Sequence, residues 1–201
     1  LALIMMHGKN APADGYLEYE DLNGDKKITD ADRKKIGSPH PDFYGGFGST
    51  FSYKAFSLNL LFSYSYGNDI FNSTRIYTET VTQSNQTTAI LRRWQKPGDI
   101  TDVPKASVYN QRTSSRFVED GSFLRLKNIT LSVEMPVQYI QHIGIKRLQL
   151  FAAGKNLLTF TRYSGMDPEV NYNGLNALAI GTDFFTCPQP KSLLIGLCAR
   201  F

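Results

Sequence analysis

Five stretches of the chain alternate between apolar and polar positions. Phe43–Tyr53 sets Phe43, Phe47, Phe51 and Tyr53 on one parity, and Tyr44, Gly46, Gly48, Thr50 and Ser52 on the other. Phe56–Tyr66 is the clearest, with Phe56, Leu58, Leu60, Phe62, Tyr64 and Tyr66 against Ser57, Asn59, Leu61, Ser63 and Ser65. Successive side chains of a strand point to opposite faces, so a period of two predicts a strand with one apolar and one polar face. From about Ser122 to Met135, Ile129, Leu131, Val133 and Met135 alternate with Thr130, Ser132 and Glu134, while Leu124 and Leu126 fall on the opposite parity. One extra residue near Lys127–Asn128, a β-bulge, reconciles the two halves. Lys146–Asn156 carries Leu148, Leu150 and Ala152 against Arg147, Gln149 and Lys155, with Phe151 out of pattern. The chain closes on Leu193, Ile195, Leu197, Ala199 and Phe201, alternating with Ser192, Gly196, Cys198 and Arg200.

Lengths and spacings narrow the class. Phe56–Tyr66 is about twice the five or six residues of an ordinary globular strand and matches the about 9–11 of a tilted membrane strand. The first pair of strands meets within Tyr53-Lys54-Ala55, and the third and fourth are joined across Pro136–Ile145. Between these short joints lie two long polar stretches, residues 67–121 and 157–191, which contain Pro97-Gly98, Asn171 to Gly174 and Pro188-Gln189-Pro190. Compact soluble domains rarely carry such loops, whereas a membrane barrel has tight periplasmic turns and large external loops. With Phe201 at the periplasmic rim, both long connections fall outside and both short ones inside. The expected fold is therefore all-β: antiparallel strands of the C-terminal part of a transmembrane β-barrel, incomplete by itself, with long external loops. Residues 1–42 are expected to form an external loop and residues 43–201 the last five strands.

Composition agrees. The 13 Phe and 11 Tyr, beside one Trp, suit strands and the aromatic girdles of a membrane barrel. The longest apolar run, Leu1 to Met6, is far short of the about 20 residues of a spanning helix. It also lacks the flanks of a complete signal peptide. A net charge of +4 without any basic cluster beyond Lys-Lys or Arg-Arg points away from nucleic acid. Cys187 and Cys198 form neither a CxxC nor a zinc spacing and read as incidental small apolar residues. His7, His40 and His142 share no metal or triad spacing and read as solvated surface.

The sharpest chemical signal is Asp21-Leu22-Asn23-Gly24-Asp25-Lys26-Lys27-Ile28-Thr29-Asp30-Ala31-Asp32. It places Asp21, Asn23 and Asp25 at positions 1, 3 and 5 of an EF-hand-like loop, the Lys27 carbonyl at 7 and Asp32 at 12. Short oxygen-bearing side chains at i, i+2 and i+4 wrap a hard cation while the backbone turns, so Ca2+ is the candidate ion. Lys26 stands where such loops carry Gly, which predicts a strained turn. The alternative is a plain Asp/Asn/Gly turn before a short helix near Asp30. In Tyr163–Asn171, Asp167 and Glu169 read as a loop fixed by Pro168, or as an external loop touching ligand. Trp94 reads as a packing residue, with stacking on a sugar ring as the alternative. No nucleophile–base arrangement occurs, and no enzyme activity is expected.

The chain resembles the C-terminal region of SusC/RagA-type TonB-dependent outer-membrane proteins. The matching pieces run in order from about residue 16 to 201: Tyr19-Glu20-Asp21-Leu22-Asn23-Gly24-Asp25, Asp32-Arg33 and Ile36-Gly37; Phe47 through Tyr66-Gly67-Asn68-Asp69-Ile70; Val118 to Leu131; Gly154 to Thr161; Tyr163 to Asn171; and Pro188-Gln189-Pro190-Lys191. The resemblance implies import of glycan fragments or peptides, an oligosaccharide or peptide ligand, and a SusD-like surface lipoprotein acting as a lid. It implies energy from TonB acting on a plug domain that this chain does not contain, and outer-membrane lipid around the barrel. The terminal Phe201 resembles the signal read by the barrel-assembly machinery. The competing expectation is a secreted, calcium-stabilised β-sandwich that binds carbohydrate; it requires two sheets whose apolar faces meet, shorter strands and short loops.

Overall fold

The computed structural model describes residues 3–6, 8–10, 15–79, 85–106, 113–169, 171–172, 174 and 180–201. In chain order the elements are β1 (Leu3–Met6), β2 (Gly8–Asn10), β3 (Leu17–Tyr19), β4 (Arg33–Gly37), β5 (Phe43–Tyr53), β6 (Phe56–Tyr66), β7 (Asp69–Asn72), α1 (Thr74–Thr78), β8 (Val118–Asp120), β9 (Phe123–Glu134), α2 (Val137–Ile140), β10 (Arg147–Thr161), β11 (Thr182–Asp183) and β12 (Ser192–Arg200). They form two compact units, each assembled from three separated stretches. Asp42–Tyr66, Ser122–Arg162 and Pro188–Phe201 make a strand unit; Leu1–Pro41, Gly67–Gly121 and Tyr163–Cys187 make a loop unit.

The strand unit is one antiparallel sheet in the order β12-β10-β9-β6-β5. The two strands with the cleanest alternation have the bounds their periodicity predicts, 11 residues each. They join through a tight turn whose first residue, Lys54, adopts φ +52. Tyr53 then pairs with Phe56 and Phe43 with Tyr66, a register that stacks like on like. Phe47 lies over Phe62 with ring centroids 5.1 Å apart, and Phe43 over Tyr66 at 4.9 Å. Such cross-strand aromatic pairs are the sheet's counterpart of helical i,i+4 contacts.

The phase break in β9 is a bulge at the expected place. Leu61 pairs with Asn128 and the next residue, Phe62, with Leu126, so Lys127 is the extra residue. On the other side of β9, Lys155 pairs with Asn128 and Leu158 with Leu126, which sets Asn156 and Leu157 against Lys127. Asn156 takes φ +52 there, a left-handed conformation that Asn tolerates better than most residues. Both strands thus change phase together. This corrects the expected end of the fourth strand: β10 does not stop at Asn156 but runs 15 residues to Thr161. Leu158 and Phe160 continue its apolar face through their pairing with Leu126 and Leu124.

Phe151, the residue out of pattern, pairs with Gly196. A Cβ at Gly196 would stand 2.3 Å from the Phe151 ring, so the absent side chain makes the room the ring occupies. The joint between β9 and β10 holds α2 and a single 3-10 turn, and ends on Gly144 in the left-handed region at φ +75, a common helix stop.

The loop unit contains a three-stranded sheet, β11-β7-β8, and two small pairs, β1-β4 and β2-β3. Its interior is formed by Met5, Leu17, Ile70, Ile90, Val103, Phe117 and Tyr163, all buried. Trp94 belongs to its packing: a Cβ at Gly15 would stand 2.5 Å from the indole, and the Lys105 ammonium lies over the Tyr16 and Trp94 rings at 4.2 and 5.8 Å.

Candidate functional site: a two-faced sheet and an Asp-rich loop

The register places the apolar parities of all five strands on one face. Phe47, Phe62, Leu126 and Leu158 lie across it in one row, and Phe51, Leu58, Leu131, Ala152 and Ile195 in another. Only small residues, Gly45, Ser49 and Gly154, interrupt it. This face is exposed along its outer strands, with Phe51 60% accessible, Leu193 79% and Ile195 85%, and half-buried along β6 and β9, where Leu126 is covered. The opposite face is mainly polar and makes its own bonds. The Asn59 amide donates to Thr50 Oγ1 at 2.8 Å, the Ser52 and Ser57 hydroxyls meet at 3.3 Å, and Arg147 pairs with Glu134 at 2.9 Å. Exposed apolar surface on this scale marks contact with something other than water. A soluble sandwich would bury that face against a second sheet, so the sandwich expectation fails on this geometry.

In the Asp-rich loop, each side chain singled out from the sequence is engaged with backbone. Asp21 Oδ1 accepts from Gly24 N at 2.7 Å and its Oδ2 from Lys26 N at 2.8 Å. Asn23 Oδ1 accepts from Asp25 N at 3.0 Å, and Asp25 Oδ1 from Lys27 N at 2.7 Å. Lys26 adopts φ +61, the strain expected of a side chain at the glycine position. Asp32 is buried and holds the two ends of the loop together: its carboxylate accepts from Leu22 N at 3.0 Å and Thr29 N at 2.7 Å. The Thr29 N–H is the largest cause of a pKa below the ordinary Asp value. Thr29 caps the short 3-10 turn Asp30–Asp32 reciprocally, which is the short helix expected near Asp30. The donor set is all oxygen, which suits a hard cation. Among the described residues, however, no three His, Cys, Asp or Glu side chains converge as a metal site.

The other sequence candidates fall apart in space or into packing. Asp167 is buried and accepts from Glu169 N at 2.9 Å, a local turn. Tyr163 is buried too, and its hydroxyl donates to Asp183 at 2.6 Å; burial, then the Asp183 carboxylate, pushes the Tyr163 pKa up. Both Cys187 and Cys198 are free and exposed, and His40 and His142 are exposed. His7, like Val170 of the Tyr163–Asn171 loop, lies outside the described residues.

Sequence reading missed a dense polar cluster among the described residues. In the loop unit Arg75 donates to Glu79 at 2.6 Å and to Glu119 at 2.9 Å, and Arg116 also pairs with Glu79. Glu119 further accepts from the Ser164 N–H and hydroxyl, both at 2.8 Å. Burial opposes its charge, yet the Ser164 N–H and hydroxyl and the Arg75 guanidinium hold its pKa below the usual range. The one available signal was the Arg75–Glu79 spacing of four; Glu119 and Ser164 are 44 and 89 residues from Arg75 in the chain, so no local pattern points to them.

A single sheet with one continuous exposed apolar face and one polar face is a wall segment of a membrane β-barrel. The sequence is 38% identical to TonB-dependent receptor P3 and 35% identical to TonB-dependent receptor P39 of Formosa agariphila, over 91% and 93% of its length. The structure superposes on the RagAB peptide importer in its open-open state with a TM-score of 0.84 and 26% identity, over 100% of the chain. The chain belongs to the TonB-dependent receptors of the SusC/RagA type. It spans 19% of the length of each of the two receptors and 22% of the matched importer chain. No protein-family model matches the sequence. No helix among the described residues is long and apolar enough to cross a membrane; a barrel crosses with strands.

Proposed function

We propose that this chain is the C-terminal wall of an outer-membrane importer and has no catalytic role. The observation that carries this reading is the apolar face that runs in register over β12, β10, β9, β6 and β5, interrupted only by small residues. That face contacts outer-membrane lipid, and the polar face contacts the lumen. The whole receptor takes up glycan fragments or peptides with a SusD-like surface lipoprotein as its lid, driven by TonB through the plug domain. Likeness to a peptide importer supports the peptide half of that substrate range. The long connections, residues 67–121 and 163–187, are external and meet ligand before the lumen does.

The test is membrane fractionation of the full-length receptor in its native host, with recovery of its neighbours after mild crosslinking. Outer-membrane residence with a surface lipoprotein bound is the expected result. A soluble product, or a barrel recovered without any lipoprotein, overturns the reading. Growth of the deletion strain on peptides and on oligosaccharides as sole nutrient then separates the two ligand classes.

For the Asp-rich loop we propose Ca2+ as its ion, held by Asp21, Asn23, Asp25 and the Lys27 carbonyl, with Asp32 closing the site. Its support is the all-oxygen donor set at the loop spacing together with the left-handed turn at Gly24 and Lys26. Each carboxylate oxygen has two acceptor positions, so a bond from a backbone N–H leaves one for an ion. Terbium luminescence of the full-length receptor, competed by Ca2+ and lost in Asp25→Ala, is expected; signal equal in wild type and variant rejects the ion and leaves the hydrogen-bonded turn.

A further inference from the structure

One helical turn, α1, stands where two distant segments of the loop unit meet. On one side, Arg75 reaches Glu119 and the Arg116 carbonyl, at 2.9 and 3.2 Å, while Glu79 takes the Arg116 guanidinium. Both guanidinium groups also lie over the buried Phe117 ring, at 5.9 and 5.0 Å. On the other side, Ser73 N donates to the Asp183 carbonyl at 2.9 Å, and Phe185 N donates to Thr74 Oγ1 at 2.7 Å. Tyr77 sits edge-on to Phe184 at 5.3 Å, and Phe185 is held at φ +50, a costly conformation for an aromatic residue that its surroundings must maintain.

We propose that α1 is a keystone that couples the segment 115–120 to the segment 182–186, so that the two long connections change conformation together. The physical reason is the helix's length. Five residues cannot sustain a helix in water, because nucleation is unfavourable and few bonds follow it. The turn therefore exists only while both flanks hold it. The two segments already share β7, which pairs with β8 on one side and β11 on the other and leads into α1, so α1 extends that junction by side-chain contacts. Removing the contacts of either flank unravels the turn and loosens the other, a coupling free energy between two segments that the substituted side chain does not itself bridge. The ion-paired side involves Glu79 and Arg116 side chains only 4% and 9% accessible, so its loss leaves charges without partners. A movement imposed on one connection is thereby imposed on the other. This goes beyond the transport reading and does not depend on what the receptor imports.

The experiment is hydrogen–deuterium exchange of the full-length receptor in outer-membrane vesicles. Arg75→Ala is expected to accelerate exchange about tenfold at 116–120 and also at 182–186, where its own hydrogen bonds do not reach. Tyr77→Ala is expected to do the reverse, accelerating 116–120 through the helix. Arg92→Ala, which removes an exposed pair with Asp102 in the same connection, serves as the control and leaves 182–186 unchanged. The proposal is overturned when each variant perturbs only the segment its side chain contacts. Should Arg75→Ala not assemble, Tyr77→Ala and Arg75→Lys carry the same two outcomes.

Discussion

In the strand unit many large apolar side chains remain on the outside, Leu193 and Ile195 at 79% and 85% accessible, with Leu126 and Ile140 the buried exceptions, whereas in the loop unit Ile70, Val103 and Phe117 are at 2% or less. Charges are arranged the other way round. Among the described residues, the strand unit's ion pair, Arg147 with Glu134, is exposed, although Arg125 is buried there, while the loop unit adds to its exposed pairs a largely buried chain in which Arg116 meets Glu79, Glu79 meets Arg75, and Arg75 meets Glu119. A sheet surrounded by lipid gains from outward apolar residues and must satisfy its backbone within the sheet. An assembly of long connections in water has only short ladders, so it draws much of its order from a small apolar interior and from charges paired away from water. The lesson is that burial in water and exposure to lipid are alternative ways of removing the same side chains from solvent.

That contrast can be broken at its strongest point by deleting Lys127. Loss of the bulge residue would swing Leu124 and Leu126 onto the polar face, because a one-residue slip reverses every side chain beyond it. Failure of the full receptor to assemble is expected, measured as loss of the heat-modifiable barrel band on a gel; normal assembly would mean the bulge does not set the face. Next in size, Leu60→Arg on the lipid-facing parity should destabilise the receptor by about 2–4 kcal/mol at mid-membrane, while Asn59→Arg stays under about 1 kcal/mol. Equal costs in denaturant unfolding from vesicles would remove the two-face assignment.

A smaller effect is expected in the loop unit. Glu119→Gln weakens a largely buried ion pair and should cost about 2 kcal/mol in local opening, with the unfolding midpoint of the sheet unmoved. The sign with pH follows from a folded pKa held below the ordinary 4.5. The Glu119 contribution is complete above that value and disappears as pH falls through the lowered one. Exchange in the loop unit, corrected for intrinsic rates, should therefore rise below about pH 4.5 in the wild type and less so in the variant. Smallest is Asn156→Val, which places a β-branched residue at φ +52 and should cost about 1–2 kcal/mol; a neutral result would mean the bulge relaxes to another conformation.

Some of this was legible in the sequence because the signal is local. A strand's faces are written every second residue, so β5 and β6 were bounded to the residue and the bulge at Lys127 was visible as a broken phase. The fourth strand was cut short at Asn156 for a related reason: its own phase break has no meaning until β9 is seen to break opposite it. The Asp-rich loop was legible as a turn with a strained Lys26, but not the inward commitment of Asp32 to Thr29 and Leu22.

The sequence by itself determined that this protein is built of long, two-faced strands joined alternately by short and long connections, since alternation and spacing are properties of neighbours along the chain. The tertiary structure alone decided that those faces align into one apolar surface, and that Arg75, Glu79, Arg116, Glu119 and Ser164 form one cluster. Partners such as Ser164 and Glu119 lie 45 residues apart. What joins them is the energetic demand that a buried charge find its complement, wherever in the chain that complement lies.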